Sequence, residues 1–344
     1  MENARNTVGG SQPLVSIVTP VYNGAEHLAE CIESVLAQTY QNWDYTIVDN
    51  CSTDATLEIA RRYAERDPRI RIVRNQEFLP AIPNHNAALR RISPASKYCK
   101  MVFADDWIFP ECLERMVAVA EKNPTIGIVG AYGLWGNEVQ WTGLPYPSSL
   151  VSGREVCRRL FLEGPYVFGT PTSVLYRSDL VRKNDPFYND KLHADMEACI
   201  VLLKNCDFGF VHQVLTFSRL RTGSRSALSI DLNTLIGGRL SVLVAHGPDY
   251  LTREEFEACV DRRLSEYYEF LAGTFVLRPP KEFWASHKRE LTEAGVGFDR
   301  TRLAGAALAK LFNALLNPKN TLKKLLIWGR RLAGASPRDL YGRS

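Results

Sequence analysis

Between Pro13 and Asp106 the chain repeats one pattern: a short apolar run rich in β-branched residues, a polar stop, then an amphipathic stretch. Such alternation specifies β-α units, whose strands line up in a mostly parallel sheet because each helix carries the chain back across it. LVSIVTPVY (Leu14 to Tyr22) reads as a first buried strand that stops at Asn23-Gly24, and Leu28, Cys31, Ile32, Val35 and Leu36 then fall on one face of a helix. YTIVD (Tyr45 to Asp49) is a second strand, with Asp54 placed to cap the helix after it, and Ile70 to Val73 is a third. A short helix near Asn86 to Arg91 precedes KMVFADD (Lys100 to Asp106), a fourth strand whose last residues are two carboxylates. Polar residues at the carboxyl ends of such strands converge on the crevice where open α/β sheets bind ligands.

The later chain changes character. Gly127 to Ser152 is rich in Gly, Trp and Pro and reads as strands flanking a loop. Residues 153–163 look helical, GTPTSVLYR contains another strand, and HADMEACIVLLKN is a helix that opens with acids. Beyond about Ile230 strands give way to long helical stretches, broken at Arg278-Pro279-Pro280. The expected organisation is a flexible 1–12, an α/β domain over 13–230, and a helical region over 231–344 that ends in a basic tail, 300–344.

Charge is distributed unevenly. Ten basic residues stand against one acid between Arg300 and Ser344, whereas residues 1–299 carry five more acids than bases. The body is therefore mildly acidic, which argues against a nucleic-acid surface spread over it. With 45% hydrophobic and 23% charged residues the chain is neither disordered nor a fibre. The eight cysteines include no C-x-x-C pair and no zinc-ligand spacing, so they read as reduced thiols in a cytosolic protein. MENARNTVGGSQ lacks the apolar core of a signal peptide, and no run approaches the ~20 apolar residues that cross a bilayer, so the chain is expected to be soluble or peripheral to a membrane.

Asp105-Asp106 is the most specific local feature, because adjacent carboxylates at a strand end repel each other unless a cation or polar ligand compensates. A hard divalent ion shared with a diphosphate would do so; equally, Asp106 could start the helix that carries Cys112, Leu113 and Met116. The motifs in order, SIVTPVYNGAEHLAECIESVLAQTYQNWDYTIVDNCSTDAT, PNHNAALRRI, YCKMVFADDWIFPECLERM, GTPTSVLYR and FYNDKLHADMEACIVLLKN, closely resemble family 2 glycosyltransferases, which are inverting enzymes of the GT-A fold. The resemblance spans roughly Pro13 to Ser226.

That resemblance implies a set of roles. Thr19, Pro20 and Tyr22 would line the nucleotide pocket, Tyr22 against the base. Asp49 and Asn50 occupy a place where the family usually has two acids, the second accepting the uracil N–H. Asn50 can still accept through its carbonyl, so UDP is favoured while other nucleotides stay open. Cys51 replaces a common Gly and reads as a packed small residue. Asp105 would face ribose or diphosphate, and Asp106 would hold Mg²⁺ or Mn²⁺. Asp195 matches the family's general base, although its usual acidic neighbour is Ala194 here. By spacing alone Asp195 is a helix cap. Arg219 and Arg221 fall where an Arg and a His often stand near the diphosphate, and Gly223-Ser224 would let that loop close; an ordinary solvated basic loop is the alternative.

The implied activity is transfer of a sugar from a nucleotide donor to a saccharide or lipid-linked saccharide in cell-surface polysaccharide assembly, in the cytoplasm or at the inner face of the cytoplasmic membrane. The altered residues 50, 194 and 221 keep a rival open, a sugar-binding or scaffolding protein on a decayed fold. A dehydrogenase would need G-x-G-x-x-G after the first strand, which is absent, and TPVYNGAEH is not the loop of a nucleotidyltransferase. In the tail, Leu308, Leu311, Phe312 and Leu315 share a helix face, and TLKKLLIWGRRL joins Leu322, Leu325, Leu326 and Trp328 to Lys323, Lys324, Arg330 and Arg331. That suits either peripheral contact with an anionic membrane or docking on the catalytic domain or a second subunit.

Overall fold

The computed structural model describes residues 12–191, 193–220, 234–275, 279 and 281–316. The chain divides into two units, one of residues 1–156 and 165–219, the other of 157–164 and 220–344.

The first unit is α/β. In chain order its elements are β1 (Val15–Val21), α1 (Leu28–Leu36), β2 (Trp43–Asp49), α2 (Thr56–Ala64), β3 (Ile70–Arg74), α3 (Ala81–Leu89), β4 (Tyr98–Met101), β5 (Trp107–Ile108), α4 (Cys112–Ala120), β6 (Ile126–Trp135), β7 (Glu138–Gln140), β8 (Leu150–Val151), α5 (Gly153–Phe161), β9 (Leu175–Arg177), α6 (Ser178–Lys183), α7 (Ala194–Leu203) and β10 (Asp207–Ser218). One sheet runs β3-β2-β1-β4-β9-β6-β10-β5, with β7 on β6 and β8 on β10. The long pairings, β1 with β2 and β4, β2 with β3, and β6 with β10, are parallel, whereas the short β5, β7, β8 and β9 pair antiparallel.

All seven residues of β1 are buried, which is why its sequence is a continuous apolar run rather than an alternation. Leu28, Cys31, Ile32 and Val35 of α1 are buried in the same core as Ile17, Tyr45 and Ile47. Asp54 accepts from the backbone of Thr56 at 3.0 Å and from Ala25 N at 3.1 Å, so it starts α2 and ties it to the turn before α1.

One strand is shorter than its sequence suggests. β4 ends at Met101, and Asp105 and Asp106 lie in a turn rather than at a strand end. Side chains take over the backbone bonds there: Thr19 Oγ1 donates to Val102 O at 2.7 Å, Phe103 N donates to Thr172 Oγ1 at 3.2 Å, and Asp106 N closes back on Phe103 O at 2.9 Å.

The described part of the second unit is helical beyond the end of α5: α8 (Thr234–His246), α9 (Arg253–Thr274), α10 (Lys281–Glu293) and α11 (Arg300–Leu316). Leu240, Tyr267, Tyr268, Leu271 and Leu291 form its core. Thr252 and Glu255 close a reciprocal capping box at the start of α9. All eight cysteines are free thiols, buried except for half-buried Cys51. Among the described residues no helix is long and apolar enough to cross a membrane.

Candidate active site

The turn after β4 carries the carboxylate pair. Asp106 is buried, and its oxygens accept from Thr172 Oγ1 at 2.6 Å, Ser218 Oγ at 3.2 Å and Arg219 N at 3.0 Å. A carboxylate offers about four lone-pair sites, so one, on Oδ1, is left for a further partner. Burial, and next the charge of half-buried Asp105, push the Asp106 carboxyl up to about 7. Arg219 leans over the pair: its Nε donates to the Asp105 carbonyl at 3.1 Å and its other end meets Glu30. Arg221, Gly223 and Ser224 lie outside the described residues.

Beneath the pair sits Lys100, fully buried in β4 and, among the described residues, without a carboxylate within salt-bridge distance. Its ammonium donates to Thr172 O at 2.7 Å and Val174 O at 3.3 Å and rests 3.8 Å from Met116 Sδ. Three neutral acceptors thus take the three donors, and burial lowers the lysine's pKa. Thr172 couples the two ions, holding Lys100 through its carbonyl and Asp106 through its hydroxyl. It belongs to a 3-10 turn, Pro171–Ser173, closed by a Thr170–Ser173 capping box within GTPTSVLYR, where the sequence pointed only to a strand.

The nucleotide-side residues separate into two groups. Thr19 does not line a crevice: it is fully buried, its hydroxyl shared between Val102 O and the Tyr45 phenol at 2.8 Å, and Pro20 is buried beside it. A hydroxyl on an inward position of a central strand is satisfied within the core, which the strand-end argument overlooked. Tyr22, one residue past the strand, is 49% exposed, and Phe78 at 56% packs edge-on against it, centroids 4.8 Å apart. Asp49 is buried. Its Oδ1 accepts from Ser52 N at 3.2 Å, and its Oδ2 lies 3.2 Å from Arg74 Nε, close enough for ionic attraction but too poorly aligned for a hydrogen bond.

Asn50 is a brace rather than an open acceptor. Its carbonyl oxygen accepts from Asn75 Nδ2 at 2.8 Å and Leu79 N at 2.9 Å, while its amide donates to Leu79 O at 2.8 Å. Both lone pairs are occupied, so the uracil contact expected of Asn50 has no free acceptor, and the side chain instead fixes the loop that presents Phe78. Cys51 adopts φ 61°, the left-handed region where a Gly is unstrained, and its thiol donates to Asn75 O. We expect Asn50→Ala to cost about 1–3 kcal/mol in urea unfolding and to weaken all nucleotides alike. Loss confined to uridine nucleotides at unchanged stability would instead make Asn50 a base reader.

Asp195 stands in the first turn of α7, after His193 in the left-handed region at φ 67°. Part of it reaches the surface, yet the protein packed around its carboxyl raises its pKa, with His193 and the Met196 N–H pulling the other way. Glu197 is buried and lies 3.7 Å from Lys191 Nζ. A series of contacts runs from Asp106 to Tyr188, whose phenol feels the charge of Asp195. Asp106 bonds Thr172, which receives Phe103 N; the Phe103 ring packs 4.8 Å from His85; and His85 lies 6.4 Å from Tyr188. The Tyr188 phenol is raised by burial and then by the charge of Asp195. Asn86 holds Tyr188 in place, accepting from its N–H at 2.8 Å and donating to its carbonyl at 2.7 Å. His85, Asn86, Thr172 and Ser218 were not singled out from sequence; the first two lie in PNHNAALRRI and Thr172 in GTPTSVLYR, motifs read only for a short helix, a strand and the resemblance.

Known proteins resemble this chain in sequence and in fold. The profile described as glycosyl transferase family 2 matches residues 16–184. Residues 16–184 belong to that family. EpsE of Bacillus subtilis (strain 168), a protein named as a glycosyltransferase, is 33% identical over 155 residues, which cover 43% of this chain and 55% of EpsE. The chain therefore spans little more than half of that relative's length. Among solved structures it superposes on S. aureus TarS 1-349 in complex with UDP-GlcNAc at a TM-score of 0.62, with 16% identity, covering 89% of this chain and 92% of that one. For the mannosyltransferase PcManGT from Pyrobaculum calidifontis, in complex with GDP-Man and Mn²⁺, the TM-score is 0.53 at 17% identity, covering 91% and 84%. These likenesses establish the GT-A fold with its helical C-terminal region.

The family 2 turn suits a divalent ion on its own geometry. Among the described residues no group of three or more His, Cys, Asp and Glu could hold a metal alone. A buried carboxylate with one acceptor site left, raised by burial and a like charge, fits a hard cation whose remaining ligands are water and diphosphate oxygens.

Proposed function

We propose that the family 2 chain is an inverting glycosyltransferase that moves a sugar from a nucleoside diphosphate donor, a UDP-sugar first, to a saccharide or lipid-linked saccharide in cell-surface polysaccharide assembly. The observation that supports this reading is the carboxylate turn: Asp105-Asp106 beside Arg219, with contacts through Thr172, Phe103 and His85 reaching Tyr188, whose phenol feels the charge of a second carboxylate, Asp195. The donor classes in the TarS and PcManGT complexes, UDP-GlcNAc and GDP-Man, support a nucleotide sugar.

Tyr22 and Phe78 would hold the base by stacking, with Asn50 fixing the loop beneath Phe78. Arg219 would face the diphosphate, its position set by Glu30. Mg²⁺ or Mn²⁺ held at Asp106, with Asp105 alongside, would supply neutralisation of the charge on the departing diphosphate. Asp195 takes the proton of the acceptor hydroxyl as that oxygen bonds to the anomeric carbon and the bond to the diphosphate breaks. A single displacement inverts the anomeric centre.

The test incubates the protein with a panel of nucleotide sugars and Mn²⁺. Release of a nucleoside diphosphate from at least one donor is expected. A donor that raises the melting temperature without being turned over favours the rival sugar-nucleotide-binding protein, and if no donor is cleaved or bound the transferase reading is dropped.

A further inference from the structure

The last described helix, α11, is docked by the side that its sequence makes the weaker one. Its Leu303 and Ala306 pack against the Tyr267–Leu271 core of the helical unit, Asp299 Oδ1 caps its first turn at 2.7 Å from Thr301 N, and Arg302 reaches Asp261 at 2.8 Å. Leu308, Leu311, Phe312 and Leu315 stand at the opposite side, since at ~100° per residue they cluster about half a turn away from Leu303 and Ala306. With Leu316 they are between 58 and 70% exposed. A helix in water turns its large apolar residues inward and its polar ones outward; α11 presents one Leu and an Ala to the core and a continuous stripe of five large apolar residues to the outside.

The charge on and after this helix selects what covers the stripe. Residues 300–316 contain Arg300, Arg302 and Lys310 and no acid, and residues 317–344 add seven basic residues against one acid. A second copy would bring an equal positive charge to the same contact and be repelled. An anionic phospholipid surface accepts both features, the apolar stripe in the acyl boundary and the basic side chains among the headgroups. We propose that the outer face of α11 docks on an anionic lipid bilayer. The proposal does not rest on the transferase reading.

The full chain is sedimented with vesicles of phosphatidylcholine alone or mixed with phosphatidylglycerol. Binding to the mixed vesicles alone, weakening as salt is raised, is the expected result. The double variant Leu311→Glu/Phe312→Glu changes two exposed side chains, so its melting temperature should equal that of the parent while the bound fraction falls at least about tenfold. Equal sedimentation of parent and variant, or no binding by the parent, overturns the proposal. So does a parent that sediments as a dimer without lipid and becomes monomeric in the variant, which would assign the stripe to a second copy.

Discussion

Replacing Asp195 by Asn should lower the rate of sugar transfer by roughly 10²–10⁴-fold while leaving donor binding within a factor of about three, because removal of a general base acts on the transition state and not on the bound donor. The substitution is isosteric and keeps the helix-start geometry, so a fall in melting temperature alone would return Asp195 to its capping role. The pH dependence gives a second readout. Burial raises the Asp195 carboxyl above the ordinary carboxylate range, and the base acts only when deprotonated. The acidic limb of kcat should therefore fall off at a higher pH than an exposed Asp at ~4 would give. The Asn variant should lose that limb, and a limb unchanged between parent and variant would sink the assignment.

Asp106→Asn should cost about 10²–10³-fold in metal-supported transfer and also remove a measurable stabilisation by the metal. The asparagine keeps one oxygen, but its amide faces hydroxyl or N–H donors that now find no acceptor. The sign of the pH effect in the metal-free parent follows from the pKa. The folded-state value, about 7, lies above the ordinary 3.8, so the contribution of this group is fully present below pH ~4 and is lost as pH rises through 7. Mn²⁺ binds the deprotonated carboxylate, so the melting-temperature gain on adding Mn²⁺ should be larger at pH 8 than at pH 5. In Asp106→Asn the gain should vanish at both. A gain that persists in the variant would place the ion on other residues.

The periodic part of the fold was legible because burial writes itself into sequence: β1, β2 and α1 fall where the apolar runs lie, and their residues make up one core. α9 ends at Thr274 and α10 begins at Lys281, on either side of the Pro279-Pro280 pair that marked a break in the sequence. Thr19 shows the limit. Sequence position puts it near the ligand end of a strand, but whether a hydroxyl faces a crevice or a carbonyl from β4 depends on the neighbouring strand, which sequence does not name. Asn50 shows the same limit for an amide, since its partners Asn75 and Leu79 come from the loop after β3. The roles of Lys100 and Thr172 were invisible for a further reason. One is a charge in an apolar run and the other a hydroxyl in a loop, and only their meeting across 72 residues makes a coupled pair under Asp106.

Local sequence, through apolar periodicity and an ordered set of motifs, determined the α/β body, the helical C-terminal region, the family resemblance and the three carboxylates on which the chemistry is proposed to rest. Tertiary structure alone decided which polar groups are spent on the protein itself and which remain for a ligand. Hydrogen bonds between residues far apart in the chain saturate Thr19 and Asn50 and leave one acceptor site on Asp106. It also decided which side of α11 is covered, because an amphipathic pattern fixes that a helix has two faces while packing chooses the one that is buried.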